Sequence, residues 1–348
     1  MKYDLSVDER SIHYIEPLDG NESFKNRSSF IIKLSSQNNI GYGESAPLEG
    51  WTENKTTVRE KLMELSEKSP IEGPRLEEVL ENLWGETATR YGLHQAIVDH
   101  RAKRNNCSLC SFFGNDESRR DSISVNDLLV DNPTVGKLAD SVQSGYDTVK
   151  IKSTPGEMEI IDELSIRPDW ESELNGLRID YNETLDQKHI ETVVKVLEGI
   201  PLDYVEQPFD RSRLDLHRKL REEGIPVALD ESLLEYSLKE IQNRGAADAI
   251  VIKPMAMGGL DRAAETIREC VEYDLKPVIT TLLEGAIGRA GTIQLSLGFS
   301  DDLGACGLAT GKFIRGDCDW ESNSIKDGKL YTPSNTGNSL PQGLRRRA

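Results

Sequence analysis

Ionisable side chains recur at the ends of short apolar segments, and their types indicate acid–base or metal chemistry. Lys150 and Lys152 alternate with Val149 and Ile151, which is the period of a β-strand with both lysines on one face. Three later segments end in Asp180, Glu206 and Asp230, and a fourth ends in Lys253. An isolated Lys-x-Lys is more often a half-exposed strand. One ionisable residue at the end of each successive strand instead indicates charges that converge on one place.

The three acids have no His or Cys beside them, so they suit a divalent cation that prefers oxygen ligands. Mg²⁺ fits this donor set, with water or substrate completing an octahedral shell, and Mn²⁺ could replace it. Without a cation the carboxylates would repel one another, and some would take up protons. We therefore predict that Asp180, Glu206 and Asp230 bind the metal. Asn182 lies two residues after Asp180 and could orient a ligand or a water molecule.

The lysines flank the acids in chain order. Burial and nearby positive charge both lower the pKa of a lysine, so one of these lysines could act as a base near neutral pH. This arrangement suits removal of a proton next to a carboxylate, with the cation stabilising the enediolate. A barrel that only binds metal is the non-enzymatic alternative. It would not need the lysines, because burying them is costly without a reaction or a partner.

Alternating strand and helix patterns from about residue 120 would bring these residues together. The predicted strands are 122–125, 148–152, 177–180, 204–206, 227–230, 249–253, 277–281 and 305–308. The predicted helices are 187–197, 212–223, 234–244, 260–273 and 289–297. This pattern predicts an α/β fold with a closed (β/α)₈ barrel, whose ligands gather at the carboxyl ends of the strands. An open doubly wound sheet is the alternative, but no glycine-rich phosphate loop follows the first strand, and 257–260 is typical of a turn before a helix.

The first part of the chain has strands followed by helices. The predicted strands are 5–15, 28–34 and 42–46, and the predicted helices are 56–66, 75–83 and 92–104. This segregation predicts an α+β capping domain over residues 1–118, with part of 318–348, on a barrel over residues 119–317. The loops 17–26 and 48–53 are expected to close over the substrate, and residues 334–348 are expected to form a mobile tail.

Composition limits the partners. The net charge of −18 excludes nucleic acid and anionic membranes as main partners, and acids spread along the chain leave open an adaptation to high salt. No run of eighteen apolar residues exists, and the N-terminus is too acidic for a signal peptide, so we expect a soluble, cytoplasmic protein. Cys107 and Cys110 have no second pair at zinc spacing, which predicts ordinary packing. Oligomeric state cannot be predicted from these features.

The motifs resemble those of the enolase superfamily over nearly the whole chain. Those that match its muconate-lactonising subgroup are Lys150-x-Lys152, Asp180, Tyr204-Val205-Glu206-Gln207-Pro208, Leu229-Asp230-Glu231-Ser232 and Ile252-Lys253-Pro254. The hairpin that includes Gly41-Tyr42-Gly43-Glu44 resembles the capping domain of that subgroup. The resemblance implies a Mg²⁺-dependent enzyme with a capped barrel, in which a lysine is the base.

Within the subgroup, residues 280–285 and 306–311 most resemble the o-succinylbenzoate synthase family of menaquinone biosynthesis. This resemblance implies a lyase reaction, the syn dehydration of a succinyl-hydroxycyclohexadiene carboxylate to an aromatic product. It implies that Lys152 removes the proton alpha to the carboxylate and then protonates the departing hydroxyl. Lys253 would stabilise the intermediate by a cation–π contact, and Lys150 would act electrostatically. Thr281 and Gly285 would line the substrate pocket, the glycine permitting close backbone approach.

Related reactions use the same residues and stay open. A dipeptide epimerase would use Lys152 and Lys253 as opposed acid and base, but its usual Asp-x-Asp is displaced here to residues 317–319, where a polar turn is the better interpretation. An N-acylamino acid racemase needs no such pair, and a muconate cycloisomerase is less favoured by the eighth-strand motif. Glu231 is predicted to point away from Asp230 along a strand and to support the ligands, and Glu44 to serve the hairpin. The histidines are predicted to be structural or exposed: His13, His94, His100, His189 and His217.

Overall fold

The N-terminal part of the chain is an antiparallel sheet covered by helices. The computed structural model describes residues 1–15, 25–114, 121–130, 133–157, 174–316, 325–331 and 336–338. The strands are β1 (Lys2–His13), β2 (Asn26–Ser36), β3 (Asn39–Ser45) and β4 (Ile71–Glu72), paired in the order β3-β2-β1-β4. The helices are α1 (Lys55–Glu67), α2 (Gly73–Asn82) and α3 (Thr87–Arg104). This confirms the predicted α+β cap; its predicted boundary at residue 118 lies outside the described residues.

Glycines let β3 lie directly on α3. A Cβ added to Gly41 or Gly43 would stand 2.0 Å from the carbonyl of Ala96 or 1.9 Å from that of Gly92, distances that no real side chain tolerates. The partner strand β2 supplies Phe30, Ile32 and Leu34 to the core, and all are fully buried. The cap therefore has a tightly packed sheet-on-helix core rather than a loosely attached hairpin.

The rest of the chain is a curled parallel sheet wrapped by helices. After β5 (Ser122–Ser124) come β6 (Asp127–Leu129), β7 (Thr148–Lys152), β8 (Gly176–Asp180), β9 (Leu202–Glu206), β10 (Val227–Leu229), β11 (Ala249–Ile252) and β12 (Lys276–Ile279). The helices are α4 (Val135–Gln143), α5 (Ile190–Val196), α6 (Leu214–Glu222), α7 (Leu238–Arg244), α8 (Pro254–Met257), α9 (Leu260–Glu272) and α10 (Ala286–Gly298). Strands β6 to β12 are hydrogen-bonded in sequential order, which excludes the doubly wound alternative because that fold reverses its strand order.

Two short bridges join the edges of this sheet. Thr280 bridges in parallel to Gly307, and Val125 bridges in parallel to Cys306. The fold is therefore the predicted TIM-like barrel, although residues 305–308 form only these bridges rather than a regular eighth strand. The prediction of 122–125 as the first barrel strand is right only at its end, where Val125 bridges Cys306. β5 pairs in antiparallel fashion with β13 (Lys329–Tyr331), a partner about two hundred residues later that local patterns cannot reveal, and β6 joins the barrel instead.

The two faces of the barrel strands have different roles. Outward residues such as Val149, Ile179 and Leu229 join one large apolar core under the helices. The inward face carries a smaller apolar cluster: Tyr204, Ala228, Ala249, Val251 and Val278. Period two places the ionisable residues at the strand ends on this inward face, above that cluster. No helix in the described part of the chain is long and apolar enough to cross a membrane.

Polar contacts join the cap to the barrel. Arg90 on α3 bonds Asp261 on α9 through both carboxylate oxygens, at 2.9 and 2.7 Å. Near the end of the chain, Asn338 is 1% exposed. Its backbone N–H donates to Asp99 Oδ1 at 2.6 Å, and its side-chain amide donates to the Tyr42 carbonyl at 2.8 Å. The mobile-tail prediction is thus wrong for 336–338, and the rest of 334–348 lies outside the described residues.

Buried neutral histidines make the fold sensitive to acid. Burial lowers the pKa of His94 and of His217 to about 4, below the usual 6.5 of the unfolded chain. The unfolded state therefore binds more protons between these values, and stability that is complete above about pH 6.5 is lost as pH falls toward 4. We expect each histidine to cost roughly 3 kcal/mol of unfolding free energy over that range. Urea titrations at pH 7.5, 6, 5 and 4 would measure it.

The control for this prediction uses the exposed His13. His94→Gln should flatten the fall of unfolding free energy between pH 6.5 and 4, whereas His13→Gln should leave it unchanged. An unchanged slope in His94→Gln would show that this group is not what titrates.

Candidate active site

The carboxyl ends of neighbouring strands bring the predicted residues into one row. Parallel register pairs Lys152 with Asp180, and Asp180 with Glu206. Asp230 directly follows β10 and Lys253 directly follows β11. The three acids are each no more than 2% exposed. The structure therefore gathers all of the sequence-predicted acids and lysines at one end of the barrel.

Two of the three lysines are ion-paired with these acids. Lys150 Nζ lies 2.9 Å from Asp180 Oδ2 and 2.6 Å from Glu206 Oε1. Lys253 Nζ lies 2.5 Å from Asp230 Oδ2. Among the described residues, no carboxylate lies within ion-pair distance of Lys152. Lys152 is thus the lysine whose ammonium is not committed to a carboxylate.

The charges perturb one another strongly. Burial works to lower the pKa of Lys150, but Asp180 and Glu206 outweigh it and hold this pKa well above its usual range. Burial raises the pKa of Asp180, yet Lys150 and Lys152 reverse the shift and lower it. Burial dominates at Glu206 and Asp230, where it raises each pKa to about 7. Lys150 is therefore too tightly paired to lose its proton, whereas Glu206 and Asp230 take up a proton more readily than ordinary carboxyl groups do.

Unusual backbone at the strand ends fixes the acids. Asn182 and Gln207 have φ angles of 40° and 36°, in the left-handed region that non-glycine residues rarely adopt and that clusters at functional sites. Asn182 donates its backbone N–H to Asp180 Oδ1 at 3.0 Å. The Gln207 side-chain oxygen accepts from the backbone N–H of Asp230 at 3.0 Å and of Ser232 at 3.2 Å. Gln207 thus ties the strand that ends in Glu206 to the backbone around Asp230, a role that spacing alone did not reveal.

Glu231 differs from its predicted placement. The residue begins a turn of 3₁₀ helix (Glu231–Leu234) instead of continuing a strand, so the strand alternation used to turn it away does not apply. Its side chain is 8% exposed, and Oε1 lies 3.4 Å from Asn182 Nδ2. Its Oε2 is buried without a hydrogen-bond partner among the described residues, as is Asp230 Oδ1. The site therefore contains two unsatisfied carboxylate oxygens, which are costly to bury.

The donor set fits a hard divalent cation. All candidate ligands are carboxylate oxygens, two buried oxygens lack partners, and burial raises the pKa of two of the acids. In the described part of the chain, no three acidic, histidine or cysteine side chains are close enough together to hold a metal ion. The ammonium group of Lys150 lies between Asp180 and Glu206. The chemistry of the residues fits Mg²⁺, while the present charge balance is met by lysine.

The loop after β12 is held by the cap. Glu44, for which a role in the hairpin was the preferred prediction, accepts the backbone N–H of Gly285 at 3.0 Å and of Gly288 at 2.7 Å, at the start of α10. A Cβ on Gly285 would stand 2.6 Å from Glu44 Oε1. Glycine was predicted at this position because the backbone would approach the substrate closely. In the structure the group that comes close is the Glu44 carboxylate of the cap. Thr281 is buried and its hydroxyl lies 2.8 Å from that of Thr310.

We expect Gly285→Ala to destabilise the protein by about 2 kcal/mol, because the new methyl group overlaps Glu44. The φ of −70° at Gly285 suits any residue, so the expected cost is steric rather than conformational. Urea unfolding of Gly285→Ala, Glu44→Ala and the double variant measures this coupling. The cost of the alanine at position 285 should shrink once Glu44 is removed. An equal cost in both backgrounds would mean that Glu44 is not the obstacle.

The cap also contacts a lysine of the site. Trp51, in the predicted closing loop 48–53, places its ring centroid 3.6 Å from Lys253 Nζ. The sequence indicated the loop but did not single out this residue. Most of the other predicted loop, 17–26, and the Asp-x-Asp at 317–319 lie outside the described residues. Cys110 is buried and Cys107 is partly buried, as the prediction of ordinary packing requires.

The fold and this row of charges define a class of enzyme. The Enolase C-terminal domain-like family matches residues 134–341, more than half of the chain, so the chain belongs to the enolase superfamily. The relatives named below are enzymes, which agrees with a site of buried acids and lysines.

Individual relatives show how far the likeness extends. An o-succinylbenzoate synthase from Thermobifida fusca is 30% identical over 209 residues, which span 58% of this chain and 63% of that protein. Another from Enterococcus faecalis is 26% identical over 88% of this chain and 86% of its own length. The solved substrate complex of L-Ala-D/L-Glu epimerase from Bacillus subtilis has a TM-score of 0.81 at 18% identity and covers 97% of both chains. The structural likeness shows the shared fold.

Proposed function

We propose that this protein is a Mg²⁺-dependent o-succinylbenzoate synthase. The observation that carries the proposal is the ammonium of Lys152, which stands in register with Asp180 and is paired with no carboxylate of the described residues, while Lys253 is held by Asp230 on the far side of three acid-bearing strands. Such a site can remove a proton next to a carboxylate from one face and stabilise the resulting charge from another. The two synthase relatives and the motifs of residues 280–285 and 306–311 support the choice of reaction.

Lys152 performs both proton transfers in this proposal. Its neutral amine takes the proton alpha to the substrate carboxylate. The resulting ammonium then gives that proton to the hydroxyl on the neighbouring carbon, which leaves as water while the ring becomes aromatic. Because the same group acts on the same face, the elimination is syn. The nearby carboxylate of Asp180 stabilises the ammonium between the two steps.

The other two lysines hold charge rather than move protons. Lys150 stays protonated because Asp180 and Glu206 raise its pKa, so it neutralises the acids beside the substrate carboxylate. Lys253 is fixed by Asp230 and presents its ammonium to the substrate ring. Asp180, Glu206 and Asp230 would hold Mg²⁺, which when bound would stabilise negative charge on the substrate carboxylate. Asn182, Thr281 and Gly285 are proposed to border the substrate.

A proton-transfer enzyme without dehydration is the second candidate. Lysines from two sides of the acids also suit an epimerase or racemase, which protonates the opposite face after abstraction. An N-succinylamino acid racemase from Thermus thermophilus is 28% identical over 56% of this chain, and the epimerase structure shares the fold. A muconate cycloisomerase stays a further alternative.

A substrate panel separates these candidates. Ultraviolet spectroscopy follows aromatisation of the cyclohexadiene carboxylate, and proton NMR in D₂O follows α-deuterium uptake by L-Ala-L-Glu and N-succinylamino acids. We expect dehydration with kcat/KM of at least about 10⁴ M⁻¹s⁻¹, the lower end of values for natural substrates, and slower exchange on the others. Fast exchange on a dipeptide or N-succinylamino acid without aromatisation would overturn the synthase proposal in favour of the second candidate.

A further inference from the structure

The turn that carries Trp51 is held at both ends. The backbone N–H groups of Trp51 and Thr52 both donate to the Leu48 carbonyl, at 3.0 and 2.9 Å. The Leu48 N–H donates to the Thr52 hydroxyl at 2.9 Å, and Gly50 has the positive φ of 85° that this tight turn requires. These bonds give the indole a defined position rather than that of a loose loop.

The flanks of the turn are tied to the rest of the cap. On one side, Arg27 donates to the carbonyl oxygens of Ala46 and Pro47. On the other side, the Glu53 carboxylate accepts the backbone N–H groups of Ala88 and Thr89, at 3.0 and 2.8 Å, at the start of α3. The turn that carries the indole is therefore connected to α3 and β2 through buried and partly buried hydrogen bonds, and its place over the barrel is set by the fold of the cap.

Lys253 needs such a neighbour. Its ammonium has three donors, of which Asp230 takes one at 2.5 Å. The face of Trp51, 3.6 Å away, covers a second side of the ammonium with the negative face of the ring. Among the described residues no other acceptor bonds this ammonium, and under the proposed function its third N–H would face the substrate. A flexible lysine is in this way reduced to one orientation, which is what a group acting on a transition state requires.

We infer that Trp51 is a positioning residue that holds the Lys253 ammonium between Asp230 and the substrate. This inference rests on the proposed function for its catalytic consequence, while the contact itself can be tested without turnover. The alternative is that Trp51 only fills space at the cap–barrel boundary, since its side chain also packs on the large core. Substitutions of Trp51 by leucine and by phenylalanine distinguish the two roles, because leucine keeps an apolar side chain without a ring and phenylalanine keeps an aromatic ring.

Kinetics provide the first test. Trp51→Leu should lower kcat about tenfold with little change in KM, because cation–π contacts of this kind contribute factors of roughly 2 to 30. Trp51→Phe keeps an aromatic face and should recover most of the lost rate. The matched control is Trp84→Leu, which removes a 75% exposed indole that stacks on Arg262 at 5.2 Å, away from the site. Unchanged kcat in Trp51→Leu, or a rise in KM alone, would overturn the inference.

NMR provides the second test and does not depend on activity. Reductive methylation with ¹³C-formaldehyde labels the lysines, and Lys253→Arg identifies the signal of Lys253. An indole face next to the ammonium should shift that signal upfield in the wild type and in Trp51→Phe, but not in Trp51→Leu. An unshifted wild-type signal would overturn the contact. An inactive wild type with the shifted signal would instead reject the synthase proposal while keeping the contact, so the two failures are distinguishable.

Discussion

Replacing Lys152 with alanine is expected to lower kcat by about 10²- to 10⁴-fold, the range that a positioned general base contributes. The reason is geometric. Lys152 stands in register with Asp180, and no described carboxylate holds its ammonium, whereas Lys150 and Lys253 are both ion-paired. Fold and metal affinity should survive, because Lys152 is only partly buried and is not a proposed ligand. Steady-state aromatisation rates, circular dichroism and Mg²⁺ calorimetry measure the three properties.

The control for this variant is another lysine-to-alanine change. Lys188→Ala removes a lysine whose side chain is 73% exposed and whose one ion pair among the described residues is with Asp186 at 3.3 Å, so its rate should match the wild type. Lys152→Ala with more than about a tenth of the wild-type kcat would reject Lys152 as the base, since that loss is smaller than general-base catalysis supplies.

Replacing Asp230 with asparagine should weaken Mg²⁺ binding and slow turnover together. The change keeps the shape of the side chain but removes the charge that faces Lys253 and the proposed metal position. Removing a residue that only hydrogen-bonds to a metal ligand lowers metal affinity about 10- to 100-fold. Removing the charge of a ligand itself should lower Mg²⁺ affinity at least as much. Calorimetric titration with MgCl₂ and the Mg²⁺ dependence of kcat measure both effects.

The control for Asp230→Asn is Asp215→Asn, a change at an exposed acid on α6. Both variants lose one negative charge, so they have the same net charge. It should leave metal affinity unchanged. If Asp230→Asn bound Mg²⁺ as tightly as the wild type but turned over slowly, Asp230 would be a partner of Lys253 and not a metal ligand.

Much of the site could be predicted because its residues are marked by short sequence patterns within single strands. Lys152, Asp180, Glu206 and Asp230 each end a strand, and in a parallel barrel those ends meet at one edge, while Lys150 shares its face with Lys152. The alternation of apolar and ionisable residues within each strand also predicts which face they share. Sequential strand order then follows from short connections between neighbouring strands.

The parts that escaped prediction depend on contacts between distant residues. Glu44 reaches Gly285 across 241 positions, and Trp51 meets Lys253 only once the cap has docked. The turn at Glu231 depends on Gln207 holding the backbone after β10, so strand alternation ended one residue earlier than expected. Which lysine stays unpaired is decided by side-chain conformation and burial, and neither has a signature in spacing.

The aromatisation assay under metal control tests the central claim most directly. Purified protein is given the cyclohexadiene carboxylate with Mg²⁺, then excess EDTA, then Mg²⁺ again, while ultraviolet absorbance is followed. A Mg²⁺-dependent synthase should form the aromatic product rapidly, stop when EDTA is added and resume with Mg²⁺. A folded, Mg²⁺-saturated protein that produces no aromatic product, in low salt and in molar KCl, would contradict it.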